Sequence, residues 1–325
     1  MQVTPVSKTL AELFRSNFLR IPRFQRPYSW DKENLTDFWV DLVERTHDEY
    51  FMGSVVIHRD GKEKNVFYVV DGQQRMTTIA IMLAVIRDEF VKLDAGDLAS
   101  GVHGLVEAKD LDNKSRFVIE HEPKNTFLQM RIQQKKPDAS EKPGSKEDEA
   151  LRDAHKYLSD MVANHLDEKA SKGAPTVKAE QRKNALIALR DRLLALDFIS
   201  IELTNEDDAY LIFETLNTRG KDLQISDLVK NLFTRLIKVP TKGLDVAKDK
   251  WGNVLETLSS VNTAIDPDIF LLHYWLATQS YVSKARLFKE MKGVIDANTA
   301  KDHRFRDKNH VSERPNRLPI FVRRA

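Results

Sequence analysis

Apolar and polar positions along the chain predict short strands mixed with helices up to about residue 220, and helices alone after that point. A nearly continuous apolar run predicts a buried helix over 77–93. Two strand-like runs joined by Asp60-Gly61 predict a β-hairpin, with strands at 54–59 and 66–70. The other predicted strands are 18–21, 116–119, 126–132 and 197–203. The other predicted helices are 6–17, 31–46, 150–165, 184–196, 206–217, 225–237, 246–260, 267–280 and 283–294.

Polar segments and the change in pattern divide the chain into parts. We expect flexible loops near 135–149 and near 167–180, because neither segment shows a clear apolar periodicity. The second loop is the start of a polar stretch that runs over 167–183. The predicted parts are an α+β domain over 1–235, a helical extension over 236–300 and a tail over 301–325.

Composition excludes several classes of protein. The chain has 325 residues, of which 41% are hydrophobic and 31% charged, which excludes wholesale disorder. Its 12 Gly and 11 Pro are too few for a collagen-like or turn-dense fold. It contains no Cys, which excludes disulfides, thiolate zinc sites and a thiol nucleophile. No apolar run approaches the ~20 residues of a membrane span, so we expect a cytoplasmic protein without a membrane partner.

The net charge of +2 hides an uneven distribution. Residues 301–325 carry eight basic and three acidic side chains, a net +5, so the first 300 residues sum to −3. An acidic body with local basic patches is typical of proteins that bind phosphates at chosen places and do not coat DNA non-specifically.

The first candidate block is a loop at 21–30, IPRFQRPYSW, stiffened by two prolines. Its arginines and amide favour phosphate binding, and its aromatic rings could stack on a base. The alternative is a surface loop pinned into the core by Phe24 and Trp30. The polar and aromatic candidates are Arg23, Gln25, Arg26, Tyr28 and Trp30.

The second block, VVDGQQRMTT at 69–78, predicts a strand, a glycine turn and the start of a helix. A helix N-terminus offers free N–H groups to an anion, and a carboxylate at the strand end could hold a Mg²⁺-bound water. The alternative is an ordinary Asp-Gly turn with a helix cap. The candidates are Asp71, Gly72, Gln73, Gln74 and Arg75.

The third block, FETLNTRGKDLQISDLVK at 213–230, predicts a helix end followed by a helix start. Asn217 and Gly220 suit a helix C-terminus, whereas Arg219 is less well explained by structure alone. A solvated charged face is the alternative. No phosphate-binding P-loop and no zinc-protease motif occurs, and His303 and His310 in the tail are only a weak nuclease signal.

Together with FMGSVVI at 51–57, these three blocks resemble the N-terminal domain of GmrSD-type modification-dependent restriction endonucleases, over roughly residues 7–235. DGQQR is the hallmark of that family, which includes nucleases that sense phosphorothioate DNA in antiphage defence. The resemblance implies a core similar to the ParB/sulfiredoxin fold, with a small mixed sheet and flanking helices. It also implies a nucleoside triphosphatase that uses GTP, CTP or UTP and regulates cleavage of modified DNA.

The resemblance assigns nucleotide hydrolysis to the DGQQR segment and nucleotide contacts to the other blocks. We therefore expect Asp71, Gln73, Gln74 and Arg75 to be catalytic, with Asp71 as the Mg²⁺ ligand. We expect the nucleotide, with GTP as the leading candidate, to be bound by Gln25, Arg26, Gly72, Asn217, Arg219 and Gly220.

Many members of the family carry a C-terminal HNH nuclease domain, for which these 325 residues leave no room. We therefore expect the nuclease to lie on a separate subunit or on a missing C-terminal domain. The other expected partners are modified or phage DNA and a second copy of the chain. The leading hypothesis is an NTP-hydrolysing sensor of a restriction system. The alternatives are a nucleotide-gated DNA-binding switch with little turnover and a stand-alone DNA nickase.

Overall fold

The fold is known from a computed structural model of the chain. It describes residues 4–15, 17–22, 25–43, 51–61, 63–122, 124–170, 174–203, 225–236, 246–260, 265–284 and 286–295. The chain forms two compact units, Met1–Phe213 and Glu214–Ala325. The predicted division at residue 235 falls within the second unit.

The first unit contains a sheet of six strands in the order β1-β8-β3-β4-β2-β7, and a separate pair, β5 and β6. The strands are β1 (Thr4–Thr9), β2 (Phe18–Ile21), β3 (Phe51–Arg59), β4 (Val66–Asp71), β5 (Glu107–Lys109), β6 (Ser115–Phe117), β7 (Ile119–His121) and β8 (Asp197–Leu203). β1–β8 and β3–β4 are antiparallel, whereas β8–β3, β4–β2 and β2–β7 are parallel. The sheet is therefore mixed, as predicted.

Helices accompany the sheet in the first unit and make up the described elements of the second. Those of the first unit are α1 (Leu10–Phe14), α2 (Lys32–Val43), α3 (Gln73–Lys92), α4 (Gly96–Val106), α5 (Lys146–Lys169) and α6 (Pro175–Leu194). Those of the second are α7 (Ile225–Leu236), α8 (Val246–Ser259) and α9 (Pro267–Thr278), followed by a helical stretch at 286–295. The predicted α+β class, followed by a helical region, is confirmed. None of the described helices is both long and apolar enough to cross a lipid bilayer.

The core forms around α3, which packs against α4, α5 and α6. Every residue from Met76 to Arg87 is buried, so this helix presents no polar face to solvent along those turns. A helix that is apolar on all sides can be stable only when other elements surround it. The predicted buried helix over 77–93 is confirmed, and it begins four residues earlier, at Gln73.

Several predictions of local structure were wrong. The helix over 6–17 is a strand up to Thr9, because those residues pair with β8 and the Thr9 hydroxyl then caps α1 in a capping box with Glu12. The strand over 126–132 is helical, with a π-helical turn at Leu128–Gln133. The loop over 135–149 ends early, since Ser145 caps α5, which starts at Lys146.

The polar stretch over 167–183 is helical from Pro175. The helix over 206–217 lies outside the described residues.

A fully buried arginine binds the end of the π-helical turn. Arg87 donates from Nη1 to the carbonyl oxygen of Gln133 at 2.7 Å and from Nη2 to that of Ile132 at 3.0 Å. Its Nε donates to Asp88 Oδ1 at 2.7 Å, and the negative charge of this carboxylate balances the positive charge of the guanidinium. The guanidinium thus satisfies carbonyl groups at the end of the turn that would otherwise be buried without a donor.

A network of ion pairs closes one side of the sheet. Arg20 on β2 and Arg116 on β6 both pair with Glu63, which lies in the connection between β3 and β4, and Glu120 on β7 joins them. Burial alone would raise the pKa of Glu63, but the hydrogen bonds from the two arginines outweigh it and lower that pKa. The β3–β4 connection is therefore tied to β2 and β6, whose arginines also bind Glu120 on β7.

The histidine at 155 makes the stability of the first unit dependent on pH. The Nε2 atom of His155 is buried without a hydrogen-bond partner, and burial lowers its pKa below the ordinary 6.5. The folded chain therefore binds this proton less readily than the unfolded chain, so the free energy of unfolding falls as the pH drops below about 6.5. We expect His155→Gln to reduce this loss between pH 7 and pH 5, by at most ~1.4 kcal/mol per pH unit, in urea denaturation.

His273→Gln on α9 provides the control for replacing a histidine at an exposed position. Equal losses in the wild type and in His155→Gln would contradict the role assigned to His155.

Candidate functional site

Three parallel strands end at the same edge of the sheet. β4 and β7 both flank β2 in parallel register, with Arg20 opposite Tyr68 and Ile21 opposite His121. The carboxyl ends of β2, β4 and β7 therefore deliver the proline loop, the DGQQR segment and His121 to one place. In sheets with parallel strands this edge is where ligands commonly bind.

The turn between β4 and α3 requires a glycine. Gly72 has a φ of +90° and precedes α3 without a side-chain cap, so the first N–H groups of the helix receive no bond from it. A Cβ atom at this position would lie 3.2 Å from Val55 Cγ2 and 3.3 Å from the Ser54 oxygen. Both the backbone angle and the lack of space exclude a larger residue here. The strand, turn and helix start therefore have the arrangement that the sequence predicted.

Gln25 and Gln74 bind the proline loop to this turn. Gln25 is buried and donates from Nε2 to the Val70 oxygen at 2.8 Å. Gln74 accepts the Ser29 N–H at 2.9 Å and donates to the Pro27 oxygen at 3.1 Å. Both ends of the Gln74 amide are thus occupied by backbone groups of the loop. These two side chains hold the loop and the turn of the candidate site together.

The aromatic side chains described in the loop point to packing more than to stacking on a ligand. Tyr28 is 2% exposed, and its hydroxyl lies 2.9 Å from Thr78 Oγ1. Burial raises the pKa of Tyr28, against the opposing effect of that hydrogen bond. The ring of Trp30 lies 6.2 Å from that of Phe38 on α2. The predicted alternative, a loop pinned into the core, therefore applies to Trp30, while Arg23 and Phe24 lie outside the described residues.

Arg75 is bound to the backbone of β3. It donates from Nη1 to the Met52 oxygen at 2.7 Å and from Nη2 to the Ser54 oxygen at 2.6 Å. Asp71 lies 3.7 Å from the same Nη2. Between the two carbonyl groups, Gly53 has a φ of +103°. In this arrangement the guanidinium spans an irregular part of β3 next to the turn of the site.

Gln73 is the one motif side chain with an unused buried acceptor. It is 8% exposed, and its Oε1 is buried without a hydrogen-bond partner. A buried amide oxygen left without a donor is costly, so such atoms commonly bind a water or a ligand. Gln73 is the first residue of α3, beside the helix N-terminus.

Of the charged candidates that the structure describes, Asp71 and Arg26 are the most accessible to solvent. The side chain of Asp71 is 29% exposed at the end of β4, and Arg26 is exposed in the loop. No cluster of three or more side chains suited to holding a metal ion occurs in the described part of the chain. Asp71 alone could supply a carboxylate to Mg²⁺, an ion that usually keeps several waters and takes further oxygens from phosphates.

The structure adds residues that the sequence reasoning missed. His121 Nε2 lies 3.1 Å from Thr77 Oγ1, and its Nδ1 lies 3.6 Å from Glu147 Oε1. That same Glu147 oxygen accepts the Tyr28 N–H at 3.0 Å. His121 ends a strand of three residues and Glu147 lies in the first turn of α5, so no local pattern could join them. The candidates Asn217, Arg219 and Gly220 lie outside the described residues.

Comparison with known families identifies the family of the chain. Residues 10–234 match the model of the GmrSD restriction endonuclease N-terminal domain, which is more than half of the chain. The chain belongs to the GmrSD N-terminal domain family. This membership confirms the resemblance of the sequence blocks and gives the protein a role in a modification-dependent restriction system. A search of curated proteins found no match.

The GmrSD match covers every strand but β1, and it includes the DGQQR turn and the proline loop. Helices α8 and α9 follow the matched region. The candidate site therefore lies wholly within the part of the chain that belongs to the family.

Gly53 tests the arrangement around Arg75. A Cβ at Gly53 would overlap Nη1 of Arg75, and the φ of +103° is unfavourable for any other residue. We expect Gly53→Ala to lower the free energy of unfolding by about 2 kcal/mol, from the backbone strain and from displacement of the guanidinium. Urea denaturation measures this change.

Gly101 is a matched control on α4, because a Cβ there meets nothing within 4 Å. Gly101→Ala should leave stability unchanged or raise it by up to ~1 kcal/mol. A Gly53→Ala variant as stable as the wild type would show that Arg75 does not occupy this position.

Proposed function

We propose that the protein binds and hydrolyses a nucleoside triphosphate at the edge formed by β2, β4 and β7, and that this activity regulates restriction of modified phage DNA. Membership in the GmrSD family supports the restriction role. The unpartnered buried oxygen of Gln73 beside the N-terminus of α3 is the observation that supports nucleotide chemistry most directly.

The helix N-terminus supplies the binding site for the phosphates. Gly72 leaves the first N–H groups of α3 without a side-chain cap, and the helix dipole favours negative charge there. Arg26, exposed in the loop, adds a guanidinium that binds phosphate oxygens in pairs. Stabilisation of charge dominates catalysis of phosphoryl transfer, so these groups are the expected source of most of the rate enhancement.

Gln73 is the residue suited to orient the attacking water. Its Oε1 can accept a hydrogen bond from a water whose oxygen attacks the γ-phosphorus, while the bond from phosphorus to the bridging oxygen breaks. Gln74 is less suited, because both ends of its amide bind the proline loop. The two neighbouring glutamines of the motif therefore take different roles in this proposal.

Asp71 would hold Mg²⁺ by its partly exposed carboxylate, with waters and phosphate oxygens as the other ligands. The ion would neutralise charge on the phosphates. Gln25, Gln74 and Arg75 would hold the loop, the turn and β3 in place. GTP, CTP and UTP are the candidate nucleotides, and a nuclease domain or subunit is the proposed partner.

Substitutions at Asp71, Gln73 and Gln74 separate the residues proposed for hydrolysis from the one that holds the loop. We expect Gln73→Ala and Asp71→Asn each to lower the kcat of nucleotide hydrolysis by about 100-fold. The midpoint of urea unfolding should change little, because neither substitution removes a bond to the backbone of the loop. Gln74→Ala should instead lower the free energy of unfolding by ~1–3 kcal/mol, because it leaves Pro27 and Ser29 without their partner.

Phosphate release from GTP, CTP and UTP with Mg²⁺, with and without modified DNA, measures the activity. Asp112→Asn is the control, because this side chain is exposed to solvent, and it should keep the wild-type rate. Equal rates in the wild type, Gln73→Ala and Asp71→Asn would refute the proposed site. Tight nucleotide binding in calorimetry, with no product even when DNA is present, would indicate the nucleotide-gated switch instead.

A further inference from the structure

His121 lies outside every sequence block of the site and yet ends β7 beside the proline loop. Its backbone pairs with Ile21, the residue at the end of β2 before the loop. The side chain is 10% exposed. It is therefore a nearly buried polar ring at the edge of the sheet that carries the proposed nucleotide site, with two polar neighbours.

One neighbour fixes the orientation of the ring. Thr77 Oγ1 lies 3.1 Å from His121 Nε2, and Thr77 is 1% exposed in the second turn of α3. Because α3 is buried along this part of its length, the hydroxyl is held firmly. The imidazole is thus anchored to the same helix that carries the DGQQR residues.

The other neighbour reaches the loop. His121 Nδ1 lies 3.6 Å from Glu147 Oε1, a close polar contact that is longer than a hydrogen bond. The same oxygen accepts the Tyr28 N–H at 3.0 Å. Glu147 is positioned in the first turn of α5, which Ser145 caps through the Asp148 N–H. A continuous set of contacts therefore runs from α3 through His121 and Glu147 to the loop.

We propose that His121 is a positioning residue of this site, which acts through Glu147 to hold the proline loop against the N-terminus of α3. The inference deepens the proposed nucleotide function, on which its catalytic consequence rests. Gln25 and Gln74 attach the loop to β4 and α3, whereas Glu147 attaches it to α5. His121 keeps that third attachment in register with the other two.

Hydrogen–deuterium exchange of the intact chain tests this directly, by the exchange rate of a peptide covering 25–30. We expect His121→Phe to speed exchange of this peptide by roughly five-fold, the effect of losing ~1 kcal/mol of loop docking. His121→Gln, which can still bond to Thr77, should exchange within about two-fold of the wild type. Peptides from α6 and β8 should not change.

Glu147 variants separate charge from hydrogen bonding. Glu147→Gln keeps an oxygen for the Tyr28 N–H but removes the charge that faces His121, so its exchange should lie between those of the wild type and Glu147→Ala. Since His121 acts through Glu147, the double variant His121→Phe, Glu147→Ala should exchange no faster than Glu147→Ala. His58→Phe is the control, because that ring stacks on Tyr68 in the sheet.

Nucleotide hydrolysis supplies the second measurement. We expect His121→Phe to raise the KM for the magnesium nucleotide roughly five-fold and to change kcat less, because the loop carries Arg26 and the ring touches no reacting atom in this arrangement. If no variant or wild type hydrolyses a nucleotide, the proposed function fails, while the exchange rates still decide whether His121 positions the loop.

Wild-type exchange of the 25–30 peptide in a folded His121→Phe variant would overturn the inference. Additive effects in the double variant would also overturn it. If His121→Phe does not fold, Glu147→Gln decides the question, because wild-type exchange in that variant would show that the pair does not hold the loop.

Discussion

The structure depends on side chains of one helix turn that bind the backbone of other segments. Gln74 binds the loop before α2, and Arg75 binds β3, both from the first turn of the buried α3. Backbone groups in a loop or an irregular strand need partners, and here side chains of the helix supply them. The apolar turns that follow fix the helix in the core, so these partners lie on a rigid support.

This constraint changes how the DGQQR motif is understood. From the residues alone, the polar run at the helix start was open to either an anion site or an ordinary capped turn, and the family resemblance led us to expect four of its residues to be catalytic. In the structure, both ends of the Gln74 amide bind the loop, Arg75 donates to two carbonyl oxygens of β3, and Gly72 adopts a positive φ in a confined place. Asp71 and Gln73 are the residues left with oxygens to offer. In the proposed function, the five-residue motif therefore combines three residues that build the site with two, Asp71 and Gln73, that serve the ligand.

The class of fold, the hairpin, the buried helix and the turn before it could all be predicted, because each depends on residues close together in the chain. Prediction failed where contacts between residues far apart in the chain determine the local structure. Residues 4–9 form a strand only because β8 lies beside them, and 126–133 become helical where Arg87 binds their last carbonyl groups. His121 and Glu147 could not be found for the same reason, since they are far apart in the chain and only the sheet and α5 bring them together.

The contact between Arg75 and β3 has a consequence for how this family can diverge. The guanidinium recognises carbonyl oxygens of Met52 and Ser54, which every amino acid possesses, and it lies against the bare backbone of Gly53. The identities of residues 52 and 54 are therefore unconstrained by this contact, whereas the path of the strand is strictly constrained. A relative could replace both side chains and keep the geometry, provided that it keeps the glycine, whose backbone angle and closeness to the guanidinium both oppose a side chain.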